Sequence, residues 1–199
     1  MTEWNLGSLF TGQLIRLAAK QPDDLPILSR WSEDAEYGRL LQRSPSAPRP
    51  PESFEDKKDQ HDDGRQFFFT FRTLTDDKLI GMGGLEVHWS NQSATVWLGI
   101  GEPDYRDKGY GTDAMRLLVN YAFRELGVYR LGLVVLGFNS RALHVYEKLG
   151  FVHEGAQREA IFREGQRFDI ITMSLLRPEW EALAHVYATV QPDAEPVGT

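Results

Sequence analysis

The sequence predicts an α/β fold: a single domain with a mixed, twisted central sheet flanked by helices. Two observations carry this. Residues 95–136 run through a β-branched and aromatic stretch, a glycine loop, an amphipathic helix and a nearly continuous apolar run. A strand, a crossover helix and a second strand in that order make the two strands parallel. Later, residues 151–159 and 167–176 read as two antiparallel strands turning near Glu164-Gly165-Gln166, so the sheet is mixed.

Local pattern gives each element in turn. Leu14-Ile15-Arg16-Leu17 alternates as a first strand. Pro22-Asp23-Asp24 opens a helix with acids in its first turn, continuing through Leu25, Leu28 and Trp31. Residues 43–51 are proline-rich, cannot continue a helix and read as a loop; residues 52–63 read as a short exposed helix ending before Gly64. Residues 67–74 form a strand, Asp76-Asp77 a turn, and residues 78–88 the next strand, where Gly81, Gly83 and Gly84 mark a bulge or a close backbone approach. Asn91-Gln92-Ser93 turns the chain into the strand at 95–100. The helix after the glycine loop reaches about Leu126, with an apolar stripe at Met115, Leu118, Ala122 and Leu126 and with Gly127 as its cap. Residues 131–136 read as a strand covered on both faces. A helix starts at Asn139, and Pro178 starts a last one with Trp180 and Leu183. One domain is expected over residues 1–190, with a disordered tail at 191–199.

Composition narrows the function classes. The chain has 199 residues, 41% of them hydrophobic, enough for one domain with a substantial core. No apolar run approaches the ~18 residues of a membrane span, and Met-Thr-Glu-Trp-Asn does not begin a signal peptide, so no membrane partner and a cytoplasmic location are expected. With no cysteine there is no disulfide, no zinc thiolate site and no cysteine nucleophile. A formal net charge of −7 argues against a nucleic-acid partner and leaves room for a basic substrate, or simply gives a solubilising surface.

The chemistry concentrates in two loops. Arg106-Asp107-Lys108-Gly109-Tyr110-Gly111-Thr112 opens a helix. Small residues at a helix start expose backbone N–H groups at the positive end of the dipole, which suits a phosphate. Asn139 and Tyr146 lie two helical turns apart and share a face with Ala142 and Leu143. Gly109 to Ala114 also fits the dinucleotide fingerprint, but the stretch about twenty residues on, 129–136, contains no acid for a ribose. A nucleoside-triphosphate loop is absent, since no Lys-Ser/Thr follows the glycines. Two cations ahead of the glycines, Arg106 and Lys108, match a highly phosphorylated ligand such as coenzyme A.

Arg-x-x-Gly-x-Gly after a strand, followed by Asn-x-x-Ala-x-x-x-Tyr and then Gly150-Phe151, resembles the GCN5-related N-acetyltransferase superfamily. Within it the chain is similar to the bacterial branch of ribosomal-protein N-terminal acetyltransferases and spermidine acetyltransferases. The resemblance is strongest over residues 80–176. It implies the acetyl-CoA acyltransferase fold, whose two parallel strands splay to admit the pantetheine arm. It implies acetyl-CoA as cosubstrate, no metal, and direct attack on the thioester by a primary amine. Residues 106–112 then hold the pyrophosphate. The backbone of Leu98, Gly99 and Ile100 pairs with the pantetheine amides, Asn139 binds the same arm, and Ala142 leaves it room. Tyr146 stands where the family places the general acid that protonates departing coenzyme A. A bell-shaped pH profile is therefore expected, with Tyr146 ionising on its alkaline side. Glu102, just past the strand, is the first candidate for a base, with Glu86 the next and water the alternative. The acceptor pocket falls to the early helices, residues 31–43, with Glu33, Asp34 and Glu36 as either contacts for a cation or a solvated face, and to the late hairpin, about residues 159–168. A protein N-terminal α-amine of the ribosomal-protein type is the expected acceptor. A polyamine or other small amine is the alternative, and a noncatalytic acyl-CoA sensor is the reading from another class. A homo-oligomer is left open.

Overall fold

The computed structural model describes residues 8–41, 44–55 and 64–187. The expected helix at 52–63 lies mostly outside them, with only a short 3-10 turn at Pro51–Phe54, and the tail at 191–199 lies wholly outside. Seven strands, β1 (Ile15–Ala18), β2 (Gln66–Thr73), β3 (Leu79–His88), β4 (Ser93–Ile100), β5 (Arg130–Leu136), β6 (Val152–Arg163) and β7 (Gln166–Leu176), form one sheet in the order β1-β2-β3-β4-β5-β7-β6. Only β4 and β5 run parallel; the other neighbours are antiparallel. The mixed sheet is the one expected. Its reversal at β5-β7-β6 arises because the last hairpin inserts its second strand beside β5.

Helices cover both faces. On one face lie α3 (Tyr110–Asn120) and α4 (Ser140–Lys148). Met115, Leu118 and Ala122 pack there with Leu85, Val96, Leu131 and Leu133, so the apolar stripe read at helical spacing is the face that meets the sheet. The last turn of α3 widens to a π-helix over Tyr121–Glu125 and stops at Gly127, whose φ of 66° is the left-handed cap expected of glycine. On the opposite face lie α1 (Leu25–Glu33) and α2 (Ala35–Leu41), where Leu28, Trp31 and Tyr37 pack on Leu79 and Met82. The helix read from Pro22 through Trp31 is followed by a second, α2. Asp34 separates them and caps the second, its Oδ1 accepting the Tyr37 N–H at 3.1 Å. The chain ends its described part with α5 (Arg177–Ala182) and α6 (Ala184–Tyr187).

One irregularity sets the phase of the site. The β2–β3 register shifts between Phe71 and Arg72, opposite Ile80, so that Ile80 and Gly81 both turn toward the α3 side. The glycines of β3 mark close approach as well: a Cβ at Gly84 would lie 2.4 Å from the Phe67 carbonyl oxygen.

Candidate active site

A cleft of about 250 Å³ opens through the sheet between β4 and β5. The two strands pair at Ser93↔Arg130, Ala94↔Leu131 and Thr95↔Gly132, and then they part. Each stays zipped to its outer neighbour to the end, β4 to β3 through Ile100 and β5 to β7 through Leu136. The gap is therefore held open from both sides, and the facing backbone edges of residues 96–100 and 134–136 line it. Uncovering β5 leaves Val134 42% exposed, which explains why a run read as doubly covered is not.

The loop before α3 closes one end of the cleft. Asp107 (φ 60°) and Gly109 (φ 88°) are both left-handed, which curls the loop so that Gly109, Gly111 and Thr112 face the opening at the helix N-terminus. Such a concave run of N–H groups favours an anion. Of the loop residues singled out from the sequence, Arg106, Asp107, Gly109, Gly111 and Thr112 line the cleft. Lys108 is exposed and Tyr110 packs on Tyr105 at 5.1 Å, and neither lines it.

Arg106 is more committed than the motif suggests. Its guanidinium donates to the carbonyls of Ile100 (3.1 Å) and Gly101 (2.9 Å) and to Asp34 Oδ2 (2.8 Å). Burial works against the Asp34 carboxylate, but the Arg106 guanidinium and the Tyr37 N–H hold its pKa below the usual range. Arg141, on α4, reaches Asp107 at 2.5 Å and Glu36 at 3.6 Å. Two arginines thus tie α2 and its cap to the glycine loop.

On the other wall Asn139 caps α4, its Oδ1 accepting the Ala142 N–H at 3.2 Å. Asn139, Ala142 and Tyr146 all line the cleft on the α4 side, as their spacing requires. The Gly150-Phe151 corner fixes the helix end: Gly150 has φ 86°, and the Phe151 N–H donates to the Tyr146 carbonyl at 3.0 Å. Burial of the Tyr146 phenol pushes its pKa up to about 12.

Leu98, Gly99 and Ile100 lie along the opposite edge. Glu102 does not line the cleft. Its buried carboxylate accepts from Trp31 Nε1 (2.8 Å) and Arg30 and stands 3.7 Å from Lys78, tying α1 to the end of β4. Glu86 is exposed on β3 beside Thr95, also away from the lining. Tyr37, Leu40 and Leu41 of α2 fall within the stretch 31–43 that the resemblance gave to the acceptor pocket but were not singled out, and the sequence reading missed Trp97 of β4 and Arg141. Only the odd positions of β4, Trp97 and Gly99 among them, face the α1–α2 side, and that phase was available from strand alternation.

The chain matches the acetyltransferase (GNAT) family over residues 35–151 and belongs to it. It is 29% identical to a prophage-derived N-acetyltransferase of Bacillus subtilis over 173 residues, 86% of this chain and 95% of that one. It is 34% identical to a protein named as a ribosomal N-acetyltransferase of the same organism over 109 residues, 54% of this chain and 59% of the relative. With the spermidine N(1)-acetyltransferase of Escherichia coli it shares 38% identity over 80 residues, 40% and 43% of the two chains. Its fold matches that of the spermidine N-acetyltransferase of Vibrio cholerae solved with CoA and spermine, at a TM-score of 0.75 and 24% identity, covering 84% and 98% of the chains. The protein is an N-acetyltransferase, and enzymes of this family use acetyl-CoA. The site fits that cosubstrate. The splayed edges offer strand-like backbone to an amide-bearing arm, and the curled loop offers N–H groups to a pyrophosphate. No helix among the described residues is long and apolar enough to cross a membrane.

Proposed function

We propose that this acetyltransferase acetylates a protein N-terminal α-amine. The observation that carries the choice of acceptor is the charge on the cleft wall. Among the described residues its one carboxylate, Asp107, is paired with Arg141, and Arg106 and Arg141 are its two cations. Of the acids that sequence reading offered to a cationic acceptor, Asp34 is engaged by Arg106 and Glu36 stands 3.6 Å from Arg141, while Glu33 is exposed and does not line the cleft. A polyamine needs free carboxylates for several ammonium groups. A peptide N-terminus presents one amine on a backbone, and the α2 side offers it Tyr37, Leu40, Leu41 and Trp97. The relative named for ribosomal acetylation supports this reading; the relative named for spermidine keeps the polyamine as the alternative.

In the proposed reaction the neutral amine comes from the α1–α2 face. A C–N bond forms to the acetyl carbonyl and the C–S bond breaks. Tyr146, on the other face, gives its proton to the departing sulfur and is reprotonated from solvent. The backbone of residues 98–100 holds the pantetheine amides and stabilises the developing oxyanion, and Asn139 positions the arm. With Glu102 tied to Arg30, Trp31 and Lys78, the amine proton leaves to water. No step calls for a metal. Residues 1–190 act as one domain, in the cytoplasm, where acetyl-CoA and new N-termini meet.

The test is a competition of a free-α-amine peptide against spermidine, with acetyl-CoA limiting and products read by mass spectrometry. Acetylation of the peptide at its terminus is expected. A higher kcat/KM for spermidine would move the assignment to the polyamine, and tight CoA binding without any product would mark a sensor.

A further inference from the structure

Tyr37, on the α2 side of the cleft, carries a hydroxyl that makes no hydrogen bond among the described residues. The residue is only 6% exposed, and that hydroxyl oxygen is buried. Its neighbours fix the ring: Trp31 meets it edge-on at 6.2 Å, and the Arg106 guanidinium stands 5.6 Å from its centre. The hydroxyl points at β4, since a Cβ built on Gly99 would lie 2.9 Å from Tyr37 Oη. Gly99 is thus required to be small by this phenol, and it sits in the stretch of β4 that borders the gap. A buried hydroxyl left unpaired destabilises the free protein, and phenylalanine would fill the same space without that cost. Burial also drives the phenol's pKa well above its ordinary value, so the group stays protonated across the working range.

We propose that Tyr37 positions the acceptor: its hydroxyl oxygen accepts a hydrogen bond from the N–H of the incoming amine, on the face of the gap opposite Tyr146. This rests on the acetyltransfer reading above. The two phenols then divide the reaction. Tyr37 aims the nitrogen lone pair at the carbonyl carbon from the α2 side, while Tyr146 serves the leaving sulfur from the α4 side. Tyr37 gains no proton and loses none. The amine N–H that it holds is retained in the amide product or released to water.

The test is Tyr37→Phe, assayed with whichever of a free-α-amine peptide, spermidine and glucosamine the wild type acetylates fastest. The expected result is a drop of about tenfold in kcat/KM for the amine, the worth of one hydrogen bond. Affinity for acetyl-CoA by calorimetry should stay within about twofold, and the melting temperature should equal or exceed that of the wild type. Unchanged amine kinetics would overturn the proposal. So would a parallel loss of acetyl-CoA affinity or a clearly lower melting temperature, since either would give the hydroxyl a structural role instead. Failure of the wild type to acetylate any of the three would count against the acetyltransfer reading itself, a different result from an active wild type with an indifferent variant.

Discussion

Two phenols stand on opposite faces of one gap, and burial acts on both. For Tyr146 as the proposed acid the consequence is kinetic. A phenol raised to about 12 keeps its proton well past pH 10, so the proton-donating form is present below that value and lost only as pH rises through it. The amine works in the other sense, attacking only once neutral, with an α-amine pKa near ~7.7–8.0. For an α-amine acceptor, kcat/KM is expected to rise until about pH 8 and then stay level to about pH 11. An amine of the lysine or polyamine kind would keep climbing toward ~10.4. The sequence alone leads to a bell with an alkaline limb near the ordinary phenol value; desolvation in the cleft moves that limb upward. A fall in rate near pH ~10 in the wild type, absent from Tyr146→Phe, would mean that Tyr146 titrates as an exposed phenol. Tyr146, Asn139 and Ala142 were legible because helical spacing alone puts them on one face. Tyr37 was not, because its partner in the site, Gly99, is 62 positions away and meets it only through the sheet.

At the scale of elements, Glu102 separates a chemical role from a mechanical one. Its carboxylate joins α1 to the end of β4 through Arg30, Trp31 and Lys78. Glu102→Gln removes the charge and so weakens the contacts to Arg30 and Lys78. A loss of about 1–3 kcal/mol in stability is expected, with the acidic limb of the pH profile unmoved. Denaturant unfolding beside a pH series checks both, and a shifted acidic limb would restore Glu102 as a base. Asp113 carries the same lesson. In the sequence it reads as part of a glycine fingerprint, yet its buried carboxylate accepts the N–H groups of Gln13 (3.1 Å), Leu14 (2.8 Å) and Ile15 (3.1 Å), pinning the approach to β1 onto α3. Motif position shows where a residue is, and the fold decides which backbone reaches it. Strand and helix order came through because periodicity and turn residues are local. The splay of β4 from β5 was expected only through the family resemblance and not from local pattern, since it follows from each strand's pairing with its other neighbour.

For the whole molecule, the proposed acetyl transfer uses a sheet that is open through its thickness. The glycine loop and Tyr146 belong to the α3–α4 face, Tyr37 and Trp97 to the α1–α2 face, and the gap joins them. The formal charge of −7 gave little guide to this region, because the cleft wall is arginine-rich and the acids near it are paired. The central claim is that this gap is where the thioester is opened, with Tyr146 as the acid. Its most direct test follows free thiol and acetylated peptide in one reaction mixture, for the wild type and for Tyr146→Phe, with acetyl-CoA affinity measured in parallel. Equal amounts of thiol and acetylated peptide are expected from the wild type, with kcat reduced about 10²–10⁴-fold in the variant while affinity stays within a few-fold. Transfer by Tyr146→Phe at the wild-type rate would contradict the account.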